Sequence, residues 1–268
     1  MPMNQNNPTF SPSKPLTTKV RYTLLLITVF AFVLNSHQAI GQSKNISYSD
    51  QQWFQYFSRI QISTKGLILL DGGYRFRNSF SEPSLYILRA GYGINISENA
   101  TLQFRMAHLG FYNGQSWNKV EYRPSQELVV RHQAGKMKIK QRFMIEERYF
   151  NQKISEDSNG VSSFNFRFRY QIMTALKIGK LSNKKEGTGL LLNIGNELFL
   201  QAGKPIVYNV FDQNRLLLGF TFKLSPNLAI STIYNHQFRS VNIANSYKQD
   251  YVFWLGIRHS ANLSSKSD

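Results

Sequence analysis

The chain has 268 residues, a formal net charge of +17, 14% aromatic residues and no cysteine. The absence of cysteine excludes a disulfide scaffold, a thiolate metal site and a cysteine-linked lipid anchor. Strong basicity favours a polyanionic partner, either nucleic acid or an acidic lipid surface, and the length fits one large β-domain or two smaller domains.

The N-terminus has the pattern of a secretory signal peptide. Three basic residues precede the apolar run YTLLLITVFAFVL at 22–34, and the small-x-small triplet AIG follows at 39–41. A 13-residue run is too short to span a bilayer of about 30 Å as a helix, which disfavours the alternative of a transmembrane anchor. The sequence therefore predicts a signal peptide at 1–41, cleaved before Gln42. Export argues against a role with nucleic acid.

From Gln51 onward, apolar and polar residues alternate with period two, and this pattern predicts β-strands. The predicted strands are 51–63, 66–77, 84–96, 101–112, 121–134, 136–150, 163–179, 189–201, 208–224, 228–239 and 249–260. Many exceed the five or six residues that are usual in soluble sheets, whereas about ten tilted residues cross a membrane.

The segment FNFRFRYQIM at 164–173 shows how the two faces of these strands differ. Its even positions carry large apolar side chains, and its odd positions carry Asn165, Arg167, Arg169 and Gln171. Successive side chains in a strand point to opposite faces. A soluble sandwich would bury the apolar face and expose the arginines, whereas a membrane barrel would place the arginines in its lumen.

Hairpin registers favour the barrel. A turn at Ala134-Gly135 would place oppositely charged residues across from each other, and opposite charges across a ladder stabilise a sheet. The expected pairs are Glu127–Arg142, Arg123–Glu146, Glu121–Arg148, and, from two other loop centres, Glu146–Arg167 and Glu197–Arg215. The sequence thus predicts a lumen charge ladder of Arg123, Glu127, Arg142, Glu146, Arg148, Arg167, Arg169, Glu197 and Arg215.

The connections are predicted to alternate between short turns at one end and longer loops at the other, with 180–188 as an exception. Trp53 and several tyrosines near strand ends would form interfacial girdles. Single-chain bacterial barrels have an even number of strands, so eleven segments lead us to expect one closed antiparallel transmembrane β-barrel of about 12 strands, with 10 as the alternative. In this organisation 42–50 is an N-terminal segment or a short first strand, 51–260 is the barrel and 261–268 is a C-terminal tail.

Six short segments occur in an order that resembles a known family. They are EYRPSQ (121–126), QRFMIEER (141–148), FRFRYQ (166–171), NELF (196–199), FDQNRLLLG (211–219) and LSPNL (224–228). Together they resemble the domain-of-unknown-function 2490 family, an uncharacterised family of bacterial outer-membrane barrels, from about Gln52 to Ile257. The resemblance implies a barrel in the Gram-negative outer membrane. It implies no reaction, ligand or partner.

No catalytic, cofactor or metal site is predicted. The sequence EDSNG at 156–160 has Glu156 where the histidine of an outer-membrane phospholipase motif would stand, so a lipid hydrolase is the weakest alternative. The four histidines of the predicted strands lie on different strands without metal-ligand spacing. Asn209, Asp212 and Asn214 could bind Ca²⁺, but turn chemistry explains these residue types equally well.

The leading functional expectation is a small pore with an anion-leaning lumen, since rings of arginine favour anions. The surplus cations are expected to include Arg75, Arg89, Arg105 and Arg169. The alternative is a plugged structural or envelope-binding barrel. The expected partners are outer-membrane lipid and small solutes, together with lipopolysaccharide phosphates that would bind loop or rim lysines such as Lys119, Lys153, Lys204 and Lys248.

Overall fold

The computed structural model describes residues 44–152, 160–182 and 186–264, and the predicted signal peptide at 1–41 lies outside them. Eleven strands account for most of the described residues. They are β1 (Asn45–Gln61), β2 (Gly66–Arg77), β3 (Glu82–Asn95), β4 (Ala100–Asn113), β5 (Ser116–Ala134), β6 (Met137–Gln152), β7 (Val161–Gly179), β8 (Gly189–Ala202), β9 (Phe211–Lys223), β10 (Leu228–Ser240) and β11 (Ser246–Asn262). No helix within the described ranges is long and apolar enough to cross a membrane.

The strands close into a single barrel. Consecutive strands pair antiparallel, and β1 pairs with β11 in parallel from Asn45↔Ser246 to Gln61↔Asn262. A closed meander with an odd number of strands needs one parallel pair, because each hairpin reverses the chain direction. The all-β closed barrel is therefore confirmed, and the described residues supply eleven strands, close to the expected twelve. The expectation of a separate short strand at 42–50 is wrong, because 45–50 are the first residues of β1.

The two mouths of the barrel are distinguished by the chain termini. We call the mouth where β1 begins the N-terminal mouth and the one where β11 ends the C-terminal mouth. The predicted loop NGQSWNK is a two-residue turn, Gly114-Gln115, because β5 begins at Ser116. Outside 180–188, the connections at the C-terminal mouth have two to four residues, whereas those at the N-terminal mouth have two to eight. The expected short-turn end is therefore present, with 180–188 as its predicted exception, whereas the expected long-loop end combines longer loops with the short connections 78–81 and 114–115.

Burial is inverted relative to a soluble protein. Large apolar side chains point outward around the barrel, for example Leu88, which is 60% exposed, and Leu218, which is 50% exposed. Charged side chains point inward and are buried, for example Glu121, which is 0% exposed. An apolar exterior around a polar interior is the arrangement of a transmembrane barrel.

Aromatic residues divide between the two faces. Exterior rings pack against each other, such as Tyr74 against Tyr112 and Tyr149 against Phe164. Trp53, by contrast, is 2% exposed and lies in the lumen, where the Arg75 guanidinium is 3.8 Å from its ring centroid. The prediction that Trp53 belongs to an interfacial girdle is therefore wrong.

Candidate functional site: the lumen charge network

The β5–β6 hairpin differs from its predicted register by two residues. The turn consists of Gly135 and Lys136, with Ala134 paired to Met137, and Gly135 adopts a φ of +58°. Glycine provides this left-handed conformation at little cost, and hairpin turns require it. Because the shift is an even number of residues, every side chain keeps its predicted face.

The three predicted β5–β6 ion pairs form as diagonal contacts. Arg148 Nε lies 2.8 Å from Glu121, Arg123 Nη1 lies 3.5 Å from Glu146 and Arg142 Nη1 lies 3.8 Å from Glu127. Diagonal neighbours across a ladder are within reach of long side chains such as arginine. The residues that stand opposite these glutamates are different ones, for example Met144 opposite Glu127.

The other two predicted registers are confirmed. Glu146 stands directly opposite Arg167, and Glu197 directly opposite Arg215. Arg167 Nε lies 2.5 Å from Glu146, and Arg215 Nη1 lies 3.7 Å from Glu197.

Ion pairs link fourteen lumen-facing charges into one connected network across eight strands of the described barrel, β2 to β9. Eight arginines and six carboxylates belong to it, so the network has a net charge of +2. Its members are Arg89, Arg105, Arg123, Arg142, Arg148, Arg167, Arg169 and Arg215, with Asp71, Glu121, Glu127, Glu146, Glu197 and Asp212. All nine residues of the predicted ladder are among them.

Two glutamates hold the centre of this network. Glu146 contacts Arg167, Arg169 and Arg123. Glu197 accepts from Arg142 at 2.5 Å and from Arg169 at 2.6 Å, and it faces Arg215 as well. Buried charges are tolerated only when they are paired and hydrogen-bonded, and three arginine contacts for each glutamate provide this.

The structure corrects which arginines are in surplus. Arg89 and Arg105 both contact Asp71, and Arg169 lies between the two central glutamates. Of the four predicted surplus cations, only Arg75 has no carboxylate partner among the described residues. The sequence interpretation missed Asp71, although its odd number places it on the same face of β2 as Arg75.

A cavity of about 700 Å³ occupies the lumen beside the network. Thirteen basic residues and three acidic ones (Glu98, Glu197 and Asp212) line it. The basic residues are Arg75, Arg89, Arg123, Arg131, Lys138, Lys140, Arg142, Arg148, Arg167, Arg169, Arg215, Arg239 and Arg258. Most network carboxylates lie behind the arginines, so the cavity wall is more cationic than the lumen as a whole.

A second cavity of about 380 Å³ lies at the N-terminal mouth, against the 203–210 loop. Arg148, Asp212 and Arg239 line both cavities and therefore stand at the border between them. The Arg167–Asp212 ion pair, at 3.2 Å, fixes one side of this border. Charged groups therefore lie where the lumen cavity adjoins the cavity at the N-terminal mouth.

Other candidate chemistry finds little support in the geometry. Asp212 pairs with Arg167, and Asn214 exchanges amide hydrogen bonds with Asn196. Among the described residues, no group of three or more histidine or carboxylate side chains could hold a metal ion. Most of the EDSNG motif, at 156–159, lies outside the described residues.

The barrel is similar in fold to two solved structures. One is the NanC porin in a rhombohedral crystal form, with a TM-score of 0.42, 11% identity, and coverage of 70% of this chain and 86% of that chain. The other is the β domain of the Bordetella autotransporter BrkA, with a TM-score of 0.41, 9% identity, and coverage of 74% and 84%. No protein with a curated description matches the chain in sequence.

A family match covers most of the barrel. Residues 50–248 match the family described as Protein of unknown function (DUF2490). The match agrees with the resemblance carried by the six ordered segments. The chain is therefore a β-barrel protein of the DUF2490 family.

Proposed function

We propose that this protein is an outer-membrane pore for small anionic solutes. The observation that supports the proposal is the wall of the lumen cavity, with thirteen basic residues against three acidic ones. Rings of arginine and lysine favour anions in pores, and a low-dielectric wall strengthens their field.

The geometry limits the size of the solute. The central network occupies part of the cross-section, and the border residues Arg148, Asp212 and Arg239 separate the lumen cavity from the N-terminal mouth. A solute has to exchange its hydration for contacts with these side chains as it passes. The proposed pore is therefore narrow, with a conductance well below that of a wide porin.

The test is single-channel conductance of the purified, detergent-folded protein in a planar bilayer under a salt gradient. We expect small discrete steps and a reversal potential that favours anions. The double variant Lys140→Gln/Arg258→Gln removes two lining cations without a carboxylate partner among the described residues, and it should move the reversal potential toward zero. Arg77→Gln is the matched control, because Arg77 pairs with Glu82 and does not line the cavity. A preference for cations would overturn the proposal.

A closed envelope barrel is the second candidate, and the border between the two cavities is the observation that favours it. In that case the charge network would serve to fill the lumen, and the basic residues would bind envelope phosphates. Lys119 lies in β5 rather than in a loop and lines the cavity at the N-terminal mouth, 4.2 Å from the Phe150 ring centroid. Lys153 is outside the described residues. A silent bilayer after verified insertion would favour this candidate over the pore.

A further inference from the structure

Arg75 is one of three cavity-lining arginines, with Arg131 and Arg258, that have no carboxylate partner among the described residues. On one side it stacks on Trp53, its partner in β1, at 3.8 Å from the ring centroid. On the other side its partner in β3 is Leu85. The guanidinium is stacked on an aromatic ring and the residue opposite Arg75 in β3 is apolar, so neither neighbour neutralises its charge.

The charges around Arg75 have the same sign as its own. Arg89, Arg123, Arg167 and Arg215 are close enough to repel it, and all of them line the same cavity. Removing a cation from water is costly unless an opposite charge compensates it. The other four arginines of this group have carboxylate partners, so within the group Arg75 is the position at which an exogenous anion would bring the greatest gain.

An apolar wall begins beside Arg75. Leu85, Ile87, Ala107 and Leu109 form a packed cluster on the lumen side of β3 and β4, with Phe111 against it. All of these except Ala107 also line the cavity. A small inorganic anion would leave this wall unused, whereas a solute with an apolar body could cover it.

We propose that the lumen contains a binding site for a small amphipathic anion. Its oxyanion head would bind Arg75, with Arg215 and Arg123 nearby, and its apolar body would lie against Leu85 and Ile87. This inference deepens the proposed pore by naming the class of solute, and to that extent it rests on it. Binding and conduction are nevertheless separate measurements.

Isothermal titration of the folded barrel in detergent tests the site, with protein-free micelles as the blank. The probes are benzoate, acetate, inorganic phosphate and benzyl alcohol. We expect benzoate to bind about tenfold more tightly than acetate, because burying its ring adds apolar contact. Benzyl alcohol has the ring without the charge and should show no binding. Equal affinity for benzoate, acetate and phosphate, or no binding of any probe, would overturn the proposal.

Two variants locate the site. Arg75→Gln should weaken benzoate binding about tenfold, whereas Arg59→Gln should leave it unchanged. Arg59, in β1, is a suitable control because it also has no carboxylate partner among the described residues and does not line the cavity. Ile87→Thr should reduce benzoate affinity and leave acetate unaffected. An equal effect of the two arginine variants would refute the assignment to Arg75.

The comparison of probes on the unmodified protein does not depend on the variants folding. Benzoate binding without conductance would support the site and overturn the pore. Conductance without any advantage for benzoate would support the pore and overturn the site.

Discussion

Replacing Glu197 with glutamine tests whether the charge network is desolvated. Glu197 is 1% exposed and contacts Arg142, Arg169 and Arg215. Glutamine keeps the size of the side chain and removes its charge. Breaking a buried ion pair by removing one partner costs about 3–5 kcal/mol. Arg142 and Arg169 each keep a contact with another glutamate in the variant. We therefore expect the lower end of this range, a decrease of about 3 kcal/mol in the free energy of unfolding.

The assay is urea unfolding of the barrel in lipid vesicles, followed by the mobility difference between folded and unfolded forms on gels. The matched control is Glu82→Gln, which removes the same charge from the Arg77–Glu82 pair, whose side chains are 31% and 43% exposed. Exposed pairs contribute about 0–1 kcal/mol, so this variant should unfold almost as the parent does. A Glu197→Gln loss no larger than that of the control would refute a desolvated network.

Two further predictions concern the barrel in its membrane. Because β1 and β11 run parallel, Asn45 and Asn262 lie at opposite mouths of the barrel. The chain has no cysteine of its own, so the variants Asn45→Cys and Asn262→Cys each provide a single labelling site. A membrane-impermeant maleimide applied to intact cells should label only one of the two variants. Labelling of both would contradict the parallel seam. Leu218→Arg, on the exterior of β9, should destabilise folding in vesicles by about 2–4 kcal/mol, whereas Thr221→Arg, which lines the lumen cavity, should cost less. Equal losses in vesicle refolding would argue against the assignment of the two faces.

The sequence predicted the two faces of β2 to β9 and of β11 because the side-chain period of a strand is two and does not depend on what the strand pairs with. The assignment of Phe166 and Phe168 to the exterior and of Arg167 and Arg169 to the lumen follows from this rule alone. The Glu146–Arg167 register also followed, because the two residues are equidistant from the centre of their loop.

The residue that stands opposite another across a strand pair was less predictable from the sequence. The sequence placed the β5–β6 turn at Ala134-Gly135, whereas the structure has it at Gly135-Lys136. This difference gives each residue of the hairpin a different partner from the predicted one. The charge pairs survived because arginine reaches diagonally. Asp71 bonds Arg105 two strands away, a contact that depends on the curvature of the closed barrel and cannot be deduced from any one hairpin.

The sequence by itself determined the all-β class, the lipid-facing and lumen-facing sides and the cationic character of the lumen, because these depend on local alternation and composition. The tertiary structure decided the closure by a parallel β1–β11 seam, since this pairing joins segments about 200 residues apart. It also decided that Trp53 turns inward and that Arg75 alone, of the four expected surplus cations, lacks a carboxylate. Those outcomes depend on which strands become neighbours across the lumen, and only the closed barrel brings them together.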